Sequence, residues 1–107
     1  MTDNIVILST CANAEDAERI ARVLVEARVA ACVNVLPGVR SFYRWEGEVE
    51  DEAEFLLVIK SSRAHFDALR STLEKAHPYE VPEIIALPII AGAPNYLNWL
   101  QASLGPE

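Results

Sequence analysis

Three stretches of this chain are apolar at consecutive positions: Ile5-Val6-Ile7-Leu8, residues 55–59 (FLLVI) and residues 84–87 (IIAL). In an extended strand successive side chains point to opposite faces, so strands of this kind are greasy on both sides. The helical segments between them supply cover for only one face of a sheet. Leaving several Val, Ile and Leu side chains wet costs several kcal/mol, at about 25 cal/mol per Å² of apolar surface. The sheet therefore needs a second cover from outside its own helices, and the expectation is an oligomer.

The elements follow from periodicity and punctuation. Residues 4–10 (NIVILST) read as a buried strand. Asn13 is an N-cap, Asp16 sits at the third helical position in a capping-box-like arrangement, and Glu15, Asp16 and Glu18 crowd the first turn, where the helix dipole favours negative charge. Ala17, Ile20, Leu24 and Ala27 form the stripe of a helix to about residue 28, with Glu15–Arg19 and Glu18–Arg22 as pairs on the wet side. A second strand over residues 30–36 is interrupted by Pro37-Gly38, the mark of a bulge or bend, and resumes over 39–45. Glu46-Gly47-Glu48 carries a turn, and residues 49–60 return as a third strand. Ser61 or Ser62 caps a second helix with Phe66, Leu69, Leu73 and Ala76 on one face, which must stop near Ala76 because Pro78 disfavours the helical region for His77. Residues 83–90 are a fourth strand, and Pro94 opens a final helix through 104. The order β-α-β-β-α-β plus a terminal helix is the ferredoxin-like α+β sandwich, here with an overlong hairpin and a single domain over residues 1–107.

Composition narrows the partners. Sixteen Asp and Glu against nine Lys and Arg give a formal charge of −7, which argues against nucleic acid or an anionic membrane, since phosphates need a basic face. Cys11 and Cys32 are too few for a disulfide framework and lack zinc-motif spacing, so both are expected as free thiols in a reducing cytoplasm. The start is polar, without the apolar core of a secretory leader, and no apolar run approaches the roughly 18 residues of a membrane span.

Chemistry is not advertised by any Gly-rich phosphate loop, Ser-His-Asp order or HExxH pattern. The stretch KAHPYEVPEI holds the best candidates: Pro78 and Pro82 stiffen the chain and display His77, Tyr79 and Glu80 in nearly fixed geometry. His77 stands at a helix end, where the dipole stabilises its protonated form; the plainer alternative is a rigid corner with Glu80 solvated. Cys32 reads as a small buried strand residue or a soft metal ligand, with a nucleophile the remotest option. Lys60 is an exposed strand end or an anion holder. Six acidic groups over residues 46–54 read as a solvated hairpin face, Phe42, Tyr43 and Trp45 as interface anchors, and His65 as a solvent-facing helical residue.

The segments AACVNVLPGVRSFYRWEGEVE, LLVIKSS, HPYEVPEI and NYLNWL together resemble the CutA divalent-cation tolerance family, in the family's order. The resemblance implies a ferredoxin-like homotrimer similar to the PII signalling proteins, a link to copper and other divalent cations with no obligatory cofactor, and no enzymatic activity. It also implies a cluster of Cys32, Lys60, His77, Tyr79 and Glu80, with His77 and Cys32 toward a metal such as Cu²⁺ and the other three lining a ligand cleft. Some members carry copper ligands where this chain has Ser9 and Ala76; only His77 of that set is retained. The alternative is a PII-like sensor binding a small polar molecule between subunits.

Overall fold

The computed structural model describes residues 2–106. Four strands, β1 (Asn4–Cys11), β2 (Cys32–Trp45), β3 (Glu48–Ser62) and β4 (Ile85–Pro88), form one sheet in the order β2-β3-β1-β4 with every neighbouring pair antiparallel. Three helices, α1 (Ala14–Glu26), α2 (Phe66–Ala76) and α3 (Pro94–Ser103), complete the α+β fold, with a short 3-10 turn at Arg63–His65 leading into α2. The expected ferredoxin-like order is therefore present. β4 is shorter than the apolar run from which it was expected: only Ile85–Pro88 forms the strand, with Pro82 ahead of it and Pro88 as its last residue, neither of which has an N–H to donate.

α1 and α2 cover one face of the sheet. Ile5, Ile7, Leu57 and Ile59 point into them and meet Ala17, Ile20, Leu24, Leu69 and Leu73, all within a single buried cluster. Asn13 caps α1 as expected: its Oδ1 accepts from the Asp16 N–H at 2.8 Å. The helix ends at Glu26, not near residue 28, because Arg28 turns into the left-handed region (φ 60°) and Ala27 becomes an exposed C-cap. Arg19 pairs with Asp16 at 3.2 Å, three positions away, in place of the expected Glu15. Its other nitrogen donates to the Ala76 carbonyl at 2.9 Å, so an α1 side chain caps the C-terminus of α2.

The entry to α2 differs from expectation. Ser61 is fully buried and donates to the Val29 carbonyl, and the Ser62 hydroxyl bonds His65 Nδ1 at 2.7 Å instead of capping the helix. His65 is not solvent-facing; it is 6% exposed, and its Nε2 bonds the Gly105 carbonyl at 2.7 Å. The reason is the 3-10 turn: with a tighter rotation per residue, position 65 swings inward where an α-helical count sends it out. Arg28 completes this C-terminal clasp by donating to the Ala102, Ser103 and Leu104 carbonyls at the end of α3.

β2 and β3 extend beyond the helices as an arm closed by a two-residue turn, Glu46-Gly47, both with positive φ (49° and 83°), as a type I′ hairpin demands. The register shifts by one residue between Leu36 and Val39, at Pro37-Gly38, so the expected bulge is real. The shift inverts the alternation of β2: Cys32, Asn34 and Leu36 point away from the helices before it, Val39, Ser41, Tyr43 and Trp45 after it.

On the face away from α1 and α2, α3 covers one end, where Gln101 donates to Asn4 Oδ1 and Leu100 and Leu104 pack with Ala31 and Ile89, and the rest is bare. Ile85 and Leu87 are 51% and 49% exposed there, and Val6, Leu8, Leu56 and Val58 are half-buried. The accessible surface is 6487 Å², against about 5,900 Å² for a folded monomer of this mass. The excess belongs to the arm and the uncovered sheet.

Candidate functional site

The corner after α2 is built around His77, which is 7% exposed. Its Nε2 donates to the Thr10 carbonyl at 2.7 Å, its Nδ1 accepts from the Tyr79 N–H at 3.1 Å, and its own N–H closes α2 on Leu73. One ring nitrogen meets a carbonyl acceptor and the other a backbone N–H donor, so the imidazole ties β1 to the corner. Cys11 Sγ lies 3.8 Å from Nε2. Burial first, then the charges of Asp16 and Glu54, push this thiol up to about 11, so it stays protonated at neutral pH. Between the helices and β1 sits Ser9, whose buried hydroxyl has no hydrogen-bond partner among the described residues.

From this strut the chain turns so that Tyr79 packs its ring against the His77 imidazole, centroids 4.6 Å apart. The Tyr79 hydroxyl donates to Glu54 Oε2 at 2.6 Å. Glu54 is 6% exposed: the expected solvated row of Glu50, Glu52 and Glu54 holds at Glu52, is half-buried at Glu50 and fails at Glu54, where the corner folds over it. Burial, and then the bond to Glu54, push the Tyr79 phenol well above the ordinary tyrosine range.

The corner and the arm enclose a cleft of about 630 Å³ on the bare face, with Thr10 at its floor. Its walls carry the carboxylates of Glu50, Glu52, Glu54, Glu80 and Glu83 and the rings of Tyr43, Trp45 and Tyr79, and none of its lining residues is Lys, Arg or His. Sequence reasoning found Tyr79 and Glu80 and missed Glu54, whose only signal was its position on the same strand face as Glu50 and Glu52.

Cys32 and Lys60 are elsewhere. They stand directly opposite each other on β2 and β3 and opposite Val6 on β1, on the same bare face as the cleft, with the Lys60 ammonium donating to Asn34 Oδ1. Six positions of β3 separate Lys60 from Glu54, about 20 Å at 3.3 Å per residue. Within one chain, then, the structure brings together His77, Tyr79 and Glu80 and leaves Cys32 and Lys60 at the far end. His77 and Cys32 can meet on one metal only if two copies contribute. A metal on His77 must also break one of the ring's two hydrogen bonds. Among the described residues no group of three His, Cys, Asp or Glu side chains is arranged to hold a metal ion, and no helix is long and apolar enough to cross a membrane.

A four-stranded antiparallel sheet with three helices, a projecting arm and an acid-walled cleft defines a small ferredoxin-like α+β protein. The comparisons specify which. Residues 5–103 match the family described as CutA1 divalent ion tolerance protein, and the chain belongs to that family. It is 48% identical over 100 residues to the divalent-cation tolerance protein CutA of Thermus thermophilus, covering 94% of this chain and 97% of that protein. The crystal structure of CutA from Xylella fastidiosa superposes with a TM-score of 0.94 at 43% identity, covering 97% of this chain and all of the other. A structure described as the periplasmic divalent cation tolerance protein CutA of Archaeoglobus fulgidus gives 0.90 at 37% identity, with 94% and 97% covered.

Proposed function

We propose that this chain, as one domain, is the protomer of a homotrimeric divalent-cation tolerance protein that binds ions such as Cu²⁺ and is not an enzyme. The observation that carries the reading is the cleft at the corner: five carboxylates converge on it with no cation among its lining residues. Such a cavity concentrates cations electrostatically, and carboxylate oxygens take divalent ions without demanding one coordination geometry. Tyr79 and Glu80 are its wall, Glu50, Glu52 and Glu54 add to its negative charge, and His77 is the strut that fixes the wall. Cys32 and Lys60 reach a cleft only from a neighbouring copy across the bare face, with Phe42, Tyr43 and Trp45 as anchors of that contact. The raised Cys11 thiol is a poor nucleophile, which supports the non-enzymatic reading.

Calorimetric titration with CuCl₂ and ZnCl₂ tests it. The combined Glu52→Gln, Glu54→Gln variant should bind either ion at least about tenfold more weakly than wild type, the scale of losing charged donors; an unchanged isotherm removes the cleft. His77→Ala, whose ring is engaged internally, should act through stability more than through the isotherm. A second reading, a PII-like sensor, draws on the aromatic side of the cleft, which suits a flat organic molecule. The acidic walls restrict that ligand to a cationic or neutral one, and a thermal-shift comparison of metals with amines and nucleotides separates the readings. Residence in the cytoplasm rests on the two free thiols; the name of the Archaeoglobus relative assigns that protein to the periplasm.

A further inference from the structure

The acidic row of β3 is laid out as a line. Alternate residues of a strand share a face, so Glu50, Glu52 and Glu54 follow one another along the cleft at steps of about 6.7 Å, about 13 Å from first to last. Carboxylates at that spacing line the cleft without meeting at one point, and among the described residues no three of them are arranged to hold a metal ion. An ion bound at one leaves the others unneutralised. The cation that answers the whole row carries its charges at intervals.

Charge alone attracts any cation, and two further features select among them. Each end of the row carries an aromatic ring. Tyr43 stands opposite Glu50 across the ladder, with its hydroxyl 3.5 Å from Glu52 Oε1, and Tyr79 is bonded to Glu54. A ring beside a carboxylate suits an alkylammonium, whose charge meets both groups while its methylenes lie against the ring; a hydrated metal ion has no apolar surface to lay there. At the inner end Glu54 is nine-tenths buried, its Oε2 takes the Tyr79 hydroxyl, and its Oε1 accepts no hydrogen bond among the described residues. A desolvated carboxylate oxygen without a donor is costly, and an ammonium N–H supplies that donor. The volume, about 630 Å³, is that of a small-molecule cleft rather than of a single ion.

We infer that the cleft takes a linear aliphatic polyamine, extended along β3 with successive ammonium groups on Glu50, Glu52 and Glu54 and its methylenes against the rings of Tyr43 and Tyr79. Amines joined by three or four methylenes repeat at nearly the two-residue step of a strand, so a triamine keeps pace with the row. The inference goes beyond the divalent-cation reading: the same negative cleft serves a second class of cation, chosen by its length and its apolar surface.

Calorimetric titration of the full chain with spermidine tests it, with a chelator present to remove metal and salt at about 0.15 M, where the screening length is about 8 Å. Methylamine supplies the single charge, and hexaamminecobalt(III) supplies three charges with no chain. Spermidine should bind at least about tenfold more tightly than either, as expected when several charge-assisted contacts act together. Glu52→Gln should weaken spermidine at least about fivefold and Tyr43→Leu about threefold, while Tyr43→Leu leaves hexaamminecobalt(III) unchanged. The comparison of the three ligands on the wild type needs no variant and decides the case where a variant fails to fold. Spermidine that binds no more tightly than the compact trication, or that ignores Tyr43→Leu in a folded variant, overturns the inference and leaves the metal reading to its CuCl₂ isotherm. Spermidine that binds as expected beside a flat CuCl₂ isotherm removes the metal reading and keeps this one.

Discussion

The Tyr79 hydroxyl reaches 25 positions back along the chain to donate a 2.6 Å hydrogen bond to Glu54 Oε2. That bond fastens the proline-rich corner to the arm and is the reason a carboxylate of the acidic row is buried. Tyr79→Phe removes the donor and leaves the acceptor in place. It should destabilise the fold by about 1.5–3 kcal/mol, the range for hydrogen bonds to charged groups, read from urea midpoints at fixed protein concentration. Glu54→Gln in the Tyr79→Phe background should recover part of the loss, since a neutral amide is cheaper to leave without that donor.

The two cysteines should separate in reactivity. Cys32 is half-buried on the bare face and Cys11 is fully buried with its thiol pushed up to about 11 by burial. At pH 8, iodoacetamide on the dilute native chain should modify Cys32 and spare Cys11, as read by peptide mass mapping. A folded-state pKa above the unfolded one means the native state holds the proton more tightly. The contribution from Cys11 is therefore complete below about pH 8.5–9 and declines as pH rises toward 11. Cys11→Ser should flatten the fall of stability across that window; an equally steep fall in the variant counts against the assignment.

The turn at the tip of the arm is open to improvement. Glu46 occupies the left-handed region at φ 49°, in a type I′ turn whose first central position favours Asn. Glu46→Asn should stabilise by about 0.5–1 kcal/mol, the relief of a non-glycine side chain from that region. The measurement is the thermal midpoint, with the sheet unchanged by circular dichroism.

The C-terminal clasp should respond as a unit. His65→Ala leaves the Gly105 carbonyl and the Ser62 hydroxyl without their partner, and Arg28→Ala strips three carbonyls at the end of α3 of their donor. Each should cost about 1–3 kcal/mol as a lost buried or capping partner. Because both act on the same few residues of chain, the double variant should lose less than the sum. Hydrogen exchange should report the loss first in α3.

Much of this was legible in the sequence, and the misses share a cause. The strands, the Asn13 cap, the stop of α2 ahead of Pro78 and the bulge at Pro37-Gly38 are local, set by propensity and by residues a few positions apart. The bare face was also legible, because consecutive apolar residues in a strand cannot all turn to one side. What local pattern cannot supply is register between distant strands. It set Cys32 opposite Lys60 and put six positions of β3 between them and the cleft of the same chain, a separation that no local pattern reveals. Glu54 was misjudged for the same reason, since the group that buries it comes from the other side of α2. His65 failed on a finer scale, through a single tight turn in place of an α-helical one.

The one-residue bulge between Leu36 and Val39 has a consequence for how this arm can change. It sits between the covered half of β2 and the free half, and only the count of residues there decides which way Tyr43 and Trp45 look. Deleting a single residue at Pro37-Gly38 would leave every side chain of the arm intact and every strand the same chemistry, yet would roll both aromatics to the outside and bring Phe42 and Arg44 inward. The grip of the arm is therefore encoded as an odd number rather than as a motif. Insertions or deletions of one residue at that point should be far more damaging than any substitution there.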